Sequence, residues 1–197
     1  RVHGGAAKLS DIRLEPDMLE KSSKNLHDKL KIAEKAAFLL EEGDCIYLDA
    51  GTTTLHMIDF MDKTKDIVVV TNGVMHIDAL IRKEISFYLL GGYVKHRTGA
   101  IIGGASLIAM DQYRFDKSFL GTNGVHTEAG FTTPDPDEAL LKQKAIKQAK
   151  HAYVLADPSK FGEISFSAFA AIGDATIITT DAEELTFDNY QEKTVVK

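Results

Sequence analysis

The sequence has little that could crosslink it or anchor it to a membrane. It contains one cysteine, four prolines and no tryptophan, and no apolar run approaches the ~20 residues of a membrane helix. The lone Cys45 excludes an internal disulfide and a multi-cysteine zinc site, and it favours a reducing compartment. The first residues also lack the apolar core of a signal peptide. We therefore expect a cytoplasmic protein without membrane contact.

Positive charge is also scarce. Lys and Arg number 23 against 29 Asp and Glu, which gives a net charge of −6 with histidine neutral. Binding to nucleic acid needs clustered cations that neutralise phosphates. We therefore expect any DNA-binding part of the protein to lie outside this chain. The seven histidines are scattered without ligand spacing, so no metal site is predicted, and no cofactor is implied.

What is present is typical of one globular domain. The 197 residues are 44% hydrophobic and 26% charged, which is enough for a full core. We assign residues 1–197 to one domain, with residues 1–20 as a lead-in segment and Arg1–Ala7 extended. Short apolar runs alternate with helical periodicity, which predicts an α/β fold with a mostly parallel sheet and helices on both faces. The predicted strands are 45–48, 67–70, 86–90, 118–120, 152–156 and 176–180. The predicted helices are 25–42, one that starts within 49–54 and runs towards Phe60, 74–81, 105–110 and 135–150.

Local signals sharpen three of these assignments. Asp135 can cap the last helix, with Pro136 in its first turn. Gly43 is the expected stop of the first helix. Cys45, inside an apolar strand, is expected to be a small buried hydrophobe.

Ligands of such sheets bind beyond the carboxyl ends of the strands. The strongest signal there is Asp49–Thr54, where Gly51 permits close backbone approach and three threonines open a helix. Amide groups at a helix start, together with hydroxyls, suit a phosphate. The segment lacks the Walker and Rossmann spacings. The alternative is a strand–helix turn in which a threonine only caps the helix.

Other strand-end segments are weaker signals. Thr71–Gly73 is also typical of a plain turn, Gly91–Gly92 with the cations of Lys95–Arg97 is also typical of a solvated loop, and Lys160 could be an ordinary surface lysine. Glu138 and Lys142 are four residues apart, the spacing of a helix surface pair.

Taken in order, several segments resemble the effector-sensing domain of the DeoR family of bacterial transcription regulators. These segments are 1–6, 49–54, 71–72, 90–92, Gly99 with 102–103, 115–121 and 157–162. The resemblance implies a fold similar to ribose-5-phosphate isomerase, glucosamine-6-phosphate deaminase and the CoA transferases. It also implies a phosphorylated sugar as effector, a homo-oligomer, and operator binding only through a winged helix-turn-helix that precedes this chain. The overall likeness is to repressors of lactose or fructose phosphotransferase systems.

The resemblance also implies site residues. Gly51 and the three threonines would hold the phosphate, and other strand-end residues would line the rest of the site. Glu138 and Lys142 would lie near the region that is catalytic in the isomerases. The predicted ligand-binding set is Asp49, Gly51, Thr52, Thr53, Thr54, Thr71, Asn72, Gly91, Gly92, Arg97, Gly99, Gly121, Asn123, Glu138, Lys142 and Lys160.

One departure from the enzymes favours a sensor. The isomerases carry a carboxylate-rich stretch after the strand that here ends at Gly121, whereas this chain has Thr122–Val125. Moving a proton between adjacent carbons needs a base, so the pocket could bind without turnover, and we predict no catalytic residue. Glu138 keeps a second interpretation open, a sugar-phosphate isomerase or deaminase. A third is an oligomerisation module with a vestigial pocket.

Overall fold

A parallel sheet of six strands forms the centre of the computed structural model, which describes Ile12, residues 17–181 and residues 187–197. The strands are β1 (Cys45–Leu48), β2 (Val68–Thr71), β3 (Ser86–Leu89), β4 (Tyr93–Val94), β5 (Ile101–Ile102), β6 (Phe115–Gly121), β7 (Gly124–His126), β8 (Gly130–Thr133), β9 (Ala149–Leu155), β10 (Ser167–Ala170) and β11 (Thr176–Ile178). The helices are α1 (Met18–Ser23), α2 (Leu26–Phe38), α3 (Thr52–Phe60), α4 (His76–Arg82), α5 (Gly104–Met110), α6 (Pro136–Gln148) and α7 (Asp188–Gln191), with 3₁₀ turns at Lys63–Lys65, Pro158–Lys160 and Ile172–Asp174.

The central sheet has the order β11-β9-β6-β1-β2-β3, and all its pairs are parallel. Side chains alternate across each strand. In β1, Ile46 and Leu48 therefore pack in one core with α2 to α4, while Tyr47 packs in a second core with α5 and α6. The predicted α/β fold with helices on both faces is confirmed.

Two small antiparallel sheets were not predicted. β10, β8 and β7 form one, and β4 pairs with β5 in the other. Their strands are short, and glycines interrupt the apolar pattern that marks a strand. Gly130 has a positive φ of 74°, and a Cβ there would overlap the carbonyl of Ala170.

Three local predictions are wrong. The first predicted helix ends at Phe38, not at Gly43, which lies in the turn before β1 and donates its N–H to the Lys65 carbonyl at 2.7 Å. Cys45 is exposed, because it is the first residue of β1 and lies outside the packed part of the strand. The last predicted helix ends at Gln148, since Ala149 already pairs with Phe115 in the sheet.

The prediction of an N-terminal lead-in segment stays a prediction. Arg1–Ala7, expected to be extended, lies outside the described residues, and α1 begins at Met18 within the predicted lead-in. Among the described helices, none combines the length and the apolarity of a membrane span.

Candidate functional site

A cleft opens at the carboxyl ends of β1, β6 and β9, where parallel sheets place their ligands. We call one side of it the strand-end wall, formed by Gly51–Thr54 and Gly121–Asn123. A second group of lining residues, which we call the lysine wall, consists of Lys21, Lys24, Lys29 and Lys160. The cleft is also lined by Glu20, Asn25, Ala50, Thr98, Glu138, Lys142, Leu155 and Asp157.

The first turn of α3 supplies the strand-end wall with hydrogen-bond donors. Gly51 is the N-cap residue, and its carbonyl accepts from Leu55 N and Thr54 Oγ1, both at 3.0 Å. Among the described residues, no side chain caps this helix start. The first amide groups of a helix have no partner within it. The turn therefore presents amides and the positive end of the helix dipole to the cleft.

Two predicted residues hold this turn from behind and do not line the cleft. Asn72 is buried, and its side-chain oxygen accepts from Ala50 N at 2.8 Å while its amide donates to the Ile101 carbonyl at 3.2 Å. Thr71 is also buried, and its hydroxyl lies 2.6 Å from the Leu48 carbonyl. Both residues fix the turn to the neighbouring strand β2 and to β5.

His76 completes this support. Its Nδ1 lies 2.8 Å from Thr71 Oγ1, and the ring packs where any side chain at Gly73 would collide with it. Burial lowers the pKa of His76 to about 4, despite an opposing contribution from the Gly51 backbone. The imidazole is therefore neutral at pH 7, and it carries no charge towards the cleft.

A buried ion pair joins α6 to the strand-end wall. Lys142 donates to Asp49 Oδ2 and, at 3.0 Å, to the Gly121 carbonyl, and Asp49 also accepts from Gly121 N at 3.0 Å. Both side chains are almost fully buried. Burial raises the pKa of Asp49, and the adjacent Lys142 opposes this rise. The pair positions the ends of β1 and β6 relative to each other.

Glu138 and Lys142 do not form the surface pair that was the alternative to their role in the site. Glu138 instead binds Lys95 at 2.8 Å, and Lys95 also binds Asp135 at 2.7 Å. The reason is that this face of α6 lies against the strand ends, so both side chains are buried and reach different partners. Asp135 caps α6 as predicted, accepting from the backbone N of Asp137 and Glu138.

The lysine wall comes from two distant parts of the chain. Lys160 ends the 3₁₀ turn after β9, whose cap Asp157 accepts from Asn25 Nδ2 at 2.8 Å. This bond ties the turn to the start of α2, where Lys29 is buried and donates to the Lys21 carbonyl. Burial lowers the pKa of Lys29, Asp157 opposes this, and the charges of Lys160, Lys21 and Lys24 lower it further.

The structure brings together nine of the sixteen predicted residues on the cleft surface: Gly51, Thr52, Thr53, Thr54, Gly121, Asn123, Glu138, Lys142 and Lys160. Asp49, Thr71 and Asn72 lie directly behind it. The other four, Gly91, Gly92, Arg97 and Gly99, lie around the β4–β5 hairpin and do not line the cleft. Gly92 is needed for packing there, since a Cβ would overlap Ser106 and the Ile102 carbonyl.

Sequence reasoning missed the contribution of the N-terminal side. Lys21, Lys24 and Lys29 line the cleft, although they lie ahead of the first strand. Their repeated positive charge within nine residues was the available signal. Thr98 was also missed, since it lies in the hairpin between the predicted residues Arg97 and Gly99. In the described part of the chain, no group of three or more His, Cys, Asp or Glu side chains could hold a metal ion.

Comparisons with known proteins identify the fold. Ribose 5-phosphate isomerase A from Methanocaldococcus jannaschii matches with a TM-score of 0.51 and 20% identity, over 70% of this chain and 55% of that one. The translation initiation factor eIF-2B of Pyrococcus horikoshii OT3 matches with a TM-score of 0.52 and 19% identity, over 76% and 52%. The chain thus spans about half the length of these structures, and at such identities the likeness shows the fold alone.

Sequence comparisons identify the family. The model for the DeoR C-terminal sensor domain matches residues 24–182. The HTH-type transcriptional regulator FruR of Bacillus subtilis (strain 168) is 98% identical over the whole chain and 78% of its own length. The lactose phosphotransferase system repressor of Staphylococcus epidermidis (strain ATCC 35984) is 31% identical over 94% of this chain and 74% of its own length. These relatives are regulators, so the enzyme interpretation is not favoured. The chain belongs to the DeoR family of transcriptional regulators, as its C-terminal sensor domain.

Proposed function

We propose that the cleft binds a phosphorylated sugar and that its phosphate lies between the two walls. The observation that carries this proposal is the uncapped start of α3, which lines the same cleft as the four lysines of the lysine wall. A helix N-terminus favours an anion, and lysines add charge that a phosphate can neutralise. The threonine hydroxyls of the same turn add further donors to phosphate oxygens.

A sugar is the expected remainder of the ligand. One relative is named as a lactose phosphotransferase system repressor, which supports a sugar that carries a phosphate. Hydroxyl, amide and carbonyl groups of Thr98, Thr122 and Asn123 line the cleft and could bind sugar hydroxyls. Gly91, Gly92, Arg97 and Gly99 stay predicted ligands, although they do not line the cleft in this structure.

Binding would control transcription through the rest of the regulator. We expect operator DNA to contact a helix-turn-helix domain N-terminal to this chain, in a cytoplasmic homo-oligomer. The sensor would transmit binding only if its ligand prefers one of two states of the protein.

A thermal-shift screen tests the proposal. The panel contains fructose 1-phosphate, tagatose 6-phosphate and fructose 6-phosphate, with fructose, tagatose and inorganic phosphate as controls. A ligand at 100 times its Kd stabilises by about 2.7 kcal/mol, so we expect a clear shift with a phosphorylated sugar and none with a free sugar. Equal shifts with free and phosphorylated sugars would contradict the proposal.

A further inference from the structure

The helix α1 lies on the cleft and on the route to the rest of the regulator. Glu20 and Lys21 of α1, and Lys24 directly after it, line the cleft. Because the family model describes a C-terminal domain, the chain that leads to the remaining domain passes through α1. A ligand that contacts α1 therefore contacts the segment that joins the sensor domain to the remaining domain.

The contacts between α1 and the rest of the sensor domain lie where a bound ligand could change them. α1 packs beside α3, whose first turn forms the strand-end wall, and the Lys21 carbonyl accepts from buried Lys29. A bend follows at Asn25, which has the left-handed values φ 54° and ψ 37°. The Asn25 side chain anchors this bend to Asp157 at 2.8 Å and to Ser159 at 3.1 Å. Asn25 is thus anchored to the rest of the domain, and α1 precedes it in the chain, on the other side of the bend.

The positive charge on and near α1 favours the binding of an anion. In the described part of the chain, Lys24, Lys29 and Lys160 form no ion pair with a carboxylate. The charges of Lys21, Lys24 and Lys160 act unfavourably on Lys29. A dianionic phosphate between them would convert this repulsion into attraction, and charge-assisted hydrogen bonds to phosphate are among the strong ones.

We propose that Lys21 and Lys24 bind the effector phosphate together with the first turn of α3, so that the effector fixes α1 against the cleft. This inference rests on the proposed function, because it needs a phosphate at the start of α3. It adds a mechanism of transmission: when the effector is bound, its phosphate adds contacts that hold the connecting helix α1 in one position, and the empty cleft lacks those contacts. The differential contact that coupling requires is then the pair of lysines.

The experiment compares Lys24→Gln with Lys31→Gln. Both lysines are exposed and lie seven residues apart, but Lys31 is on α2 and does not line the cleft. Calorimetry measures the affinity of fructose 1-phosphate and tagatose 6-phosphate for the parent and both variants. Hydrogen exchange measures the protection of residues 17–25 with and without each probe. Thermal unfolding without ligand confirms that both variants fold.

We expect Lys24→Gln to bind the probe about tenfold more weakly. Protection of residues 17–25 should appear in the parent and in Lys31→Gln and be lost in Lys24→Gln. If Lys24→Gln binds like Lys31→Gln, or if the probe leaves exchange in α1 unchanged, the inference is overturned while the proposed function stands. If neither probe binds the parent but another phosphorylated sugar does, the same comparison is made with that sugar. If no phosphorylated sugar binds, both are overturned.

Discussion

The two walls of the cleft differ in whether their lysines are paired with carboxylates. Next to the strand-end wall, two lysines have carboxylate partners: buried Lys142 binds Asp49, and Lys95 binds Asp135 and Glu138. On the lysine wall, Lys24 and Lys160 face the cleft without such a partner among the described residues. The comparison indicates that the strand-end wall is held in place by buried ion pairs and offers uncharged hydrogen-bond donors. The lysine wall offers net positive charge to a ligand. Changes in the first should affect stability, and changes in the second should affect affinity.

The largest expected effect comes from breaking the pair behind the strand-end wall. Lys142→Met leaves Asp49 buried without its cation, which costs about 3–5 kcal/mol of unfolding free energy. Urea denaturation measures this loss. The matched control is the double variant Asp49→Asn with Lys142→Met, which removes both charges and should recover most of the stability. A single variant that loses less than about 1 kcal/mol would show that the pair is not structural.

The second prediction concerns His76, which supports the same wall. Its pKa of about 4 in the folded protein lies below the ordinary 6.5, so the unfolded chain binds a proton first as pH falls. His76 therefore makes its full contribution to the unfolding free energy above pH 6.5. Up to about 3 kcal/mol of this contribution is lost as the pH falls from 6.5 to 4. We expect denaturation at several pH values to show that the unfolding free energy of His76→Asn changes less with pH in this range than that of the parent. Equal slopes would rule out His76 as the cause.

The third prediction places a charge on the donor side of the cleft. Thr53→Asp puts a carboxylate beside the expected phosphate and should weaken binding of a phosphorylated sugar at least tenfold, or about 1.4 kcal/mol. Gly51→Val should also weaken it, because a Cβ at Gly51 lies only 3.2 Å from Thr54 Oγ1 and narrows the approach to the turn. Calorimetry measures both, with Thr53→Ser as the control that keeps the hydroxyl. Parent affinity in a folded Thr53→Asp protein would remove this turn from the site.

The fourth prediction removes a charge from the lysine wall. Lys160→Met should weaken phosphorylated sugars about threefold to tenfold and leave the unfolding free energy nearly unchanged, because Lys160 is partly exposed. Lys147→Met, at an exposed position of α6 away from the cleft, is the control. The effect should shrink as salt is raised. An identical response of the two variants would make Lys160 an ordinary surface cation.

The smallest expected effect is on DNA. This chain, with its net charge of −6, should not shift operator DNA at low salt, where phosphate contacts are strongest. The matched measurement uses the full-length regulator, whose shift should respond to the sugar phosphate. A shift by the isolated sensor domain would mean that a DNA-binding surface lies within it.

The sequence predicted the parts of the molecule that local chemistry determines. The β-branched run ending at Val70, the glycine and threonines after Asp49, and the cap Asp135 each predict their element without any tertiary contact. These features place the strand ends and therefore most of the strand-end wall. Asn72 and Thr71 were predicted as ligands because they follow a strand, but their side chains turn inward to support the wall.

Long-range contacts account for what the sequence could not show. Lys142 and Glu138 have the spacing of a surface pair, and only the packing of α6 on the strand ends gives them separate buried partners. Lys21 and Lys24 reach the cleft because Asn25 anchors the bend after α1 to Asp157, which is 132 residues away. The run of lysines from Lys21 to Lys29 is visible in the sequence, but the contacts that bring it to the cleft are not.

A crystal structure of the chain with a phosphorylated sugar from the screen would test the central claim most directly. The account predicts phosphate oxygens within hydrogen-bonding distance, about 3 Å, of backbone amides in Thr52–Thr54. It also predicts that lysine-wall ammonium groups lie on the other side of the phosphate. A phosphate bound elsewhere, or a sugar in the cleft with its phosphate directed to solvent, would contradict the assignment of the two walls.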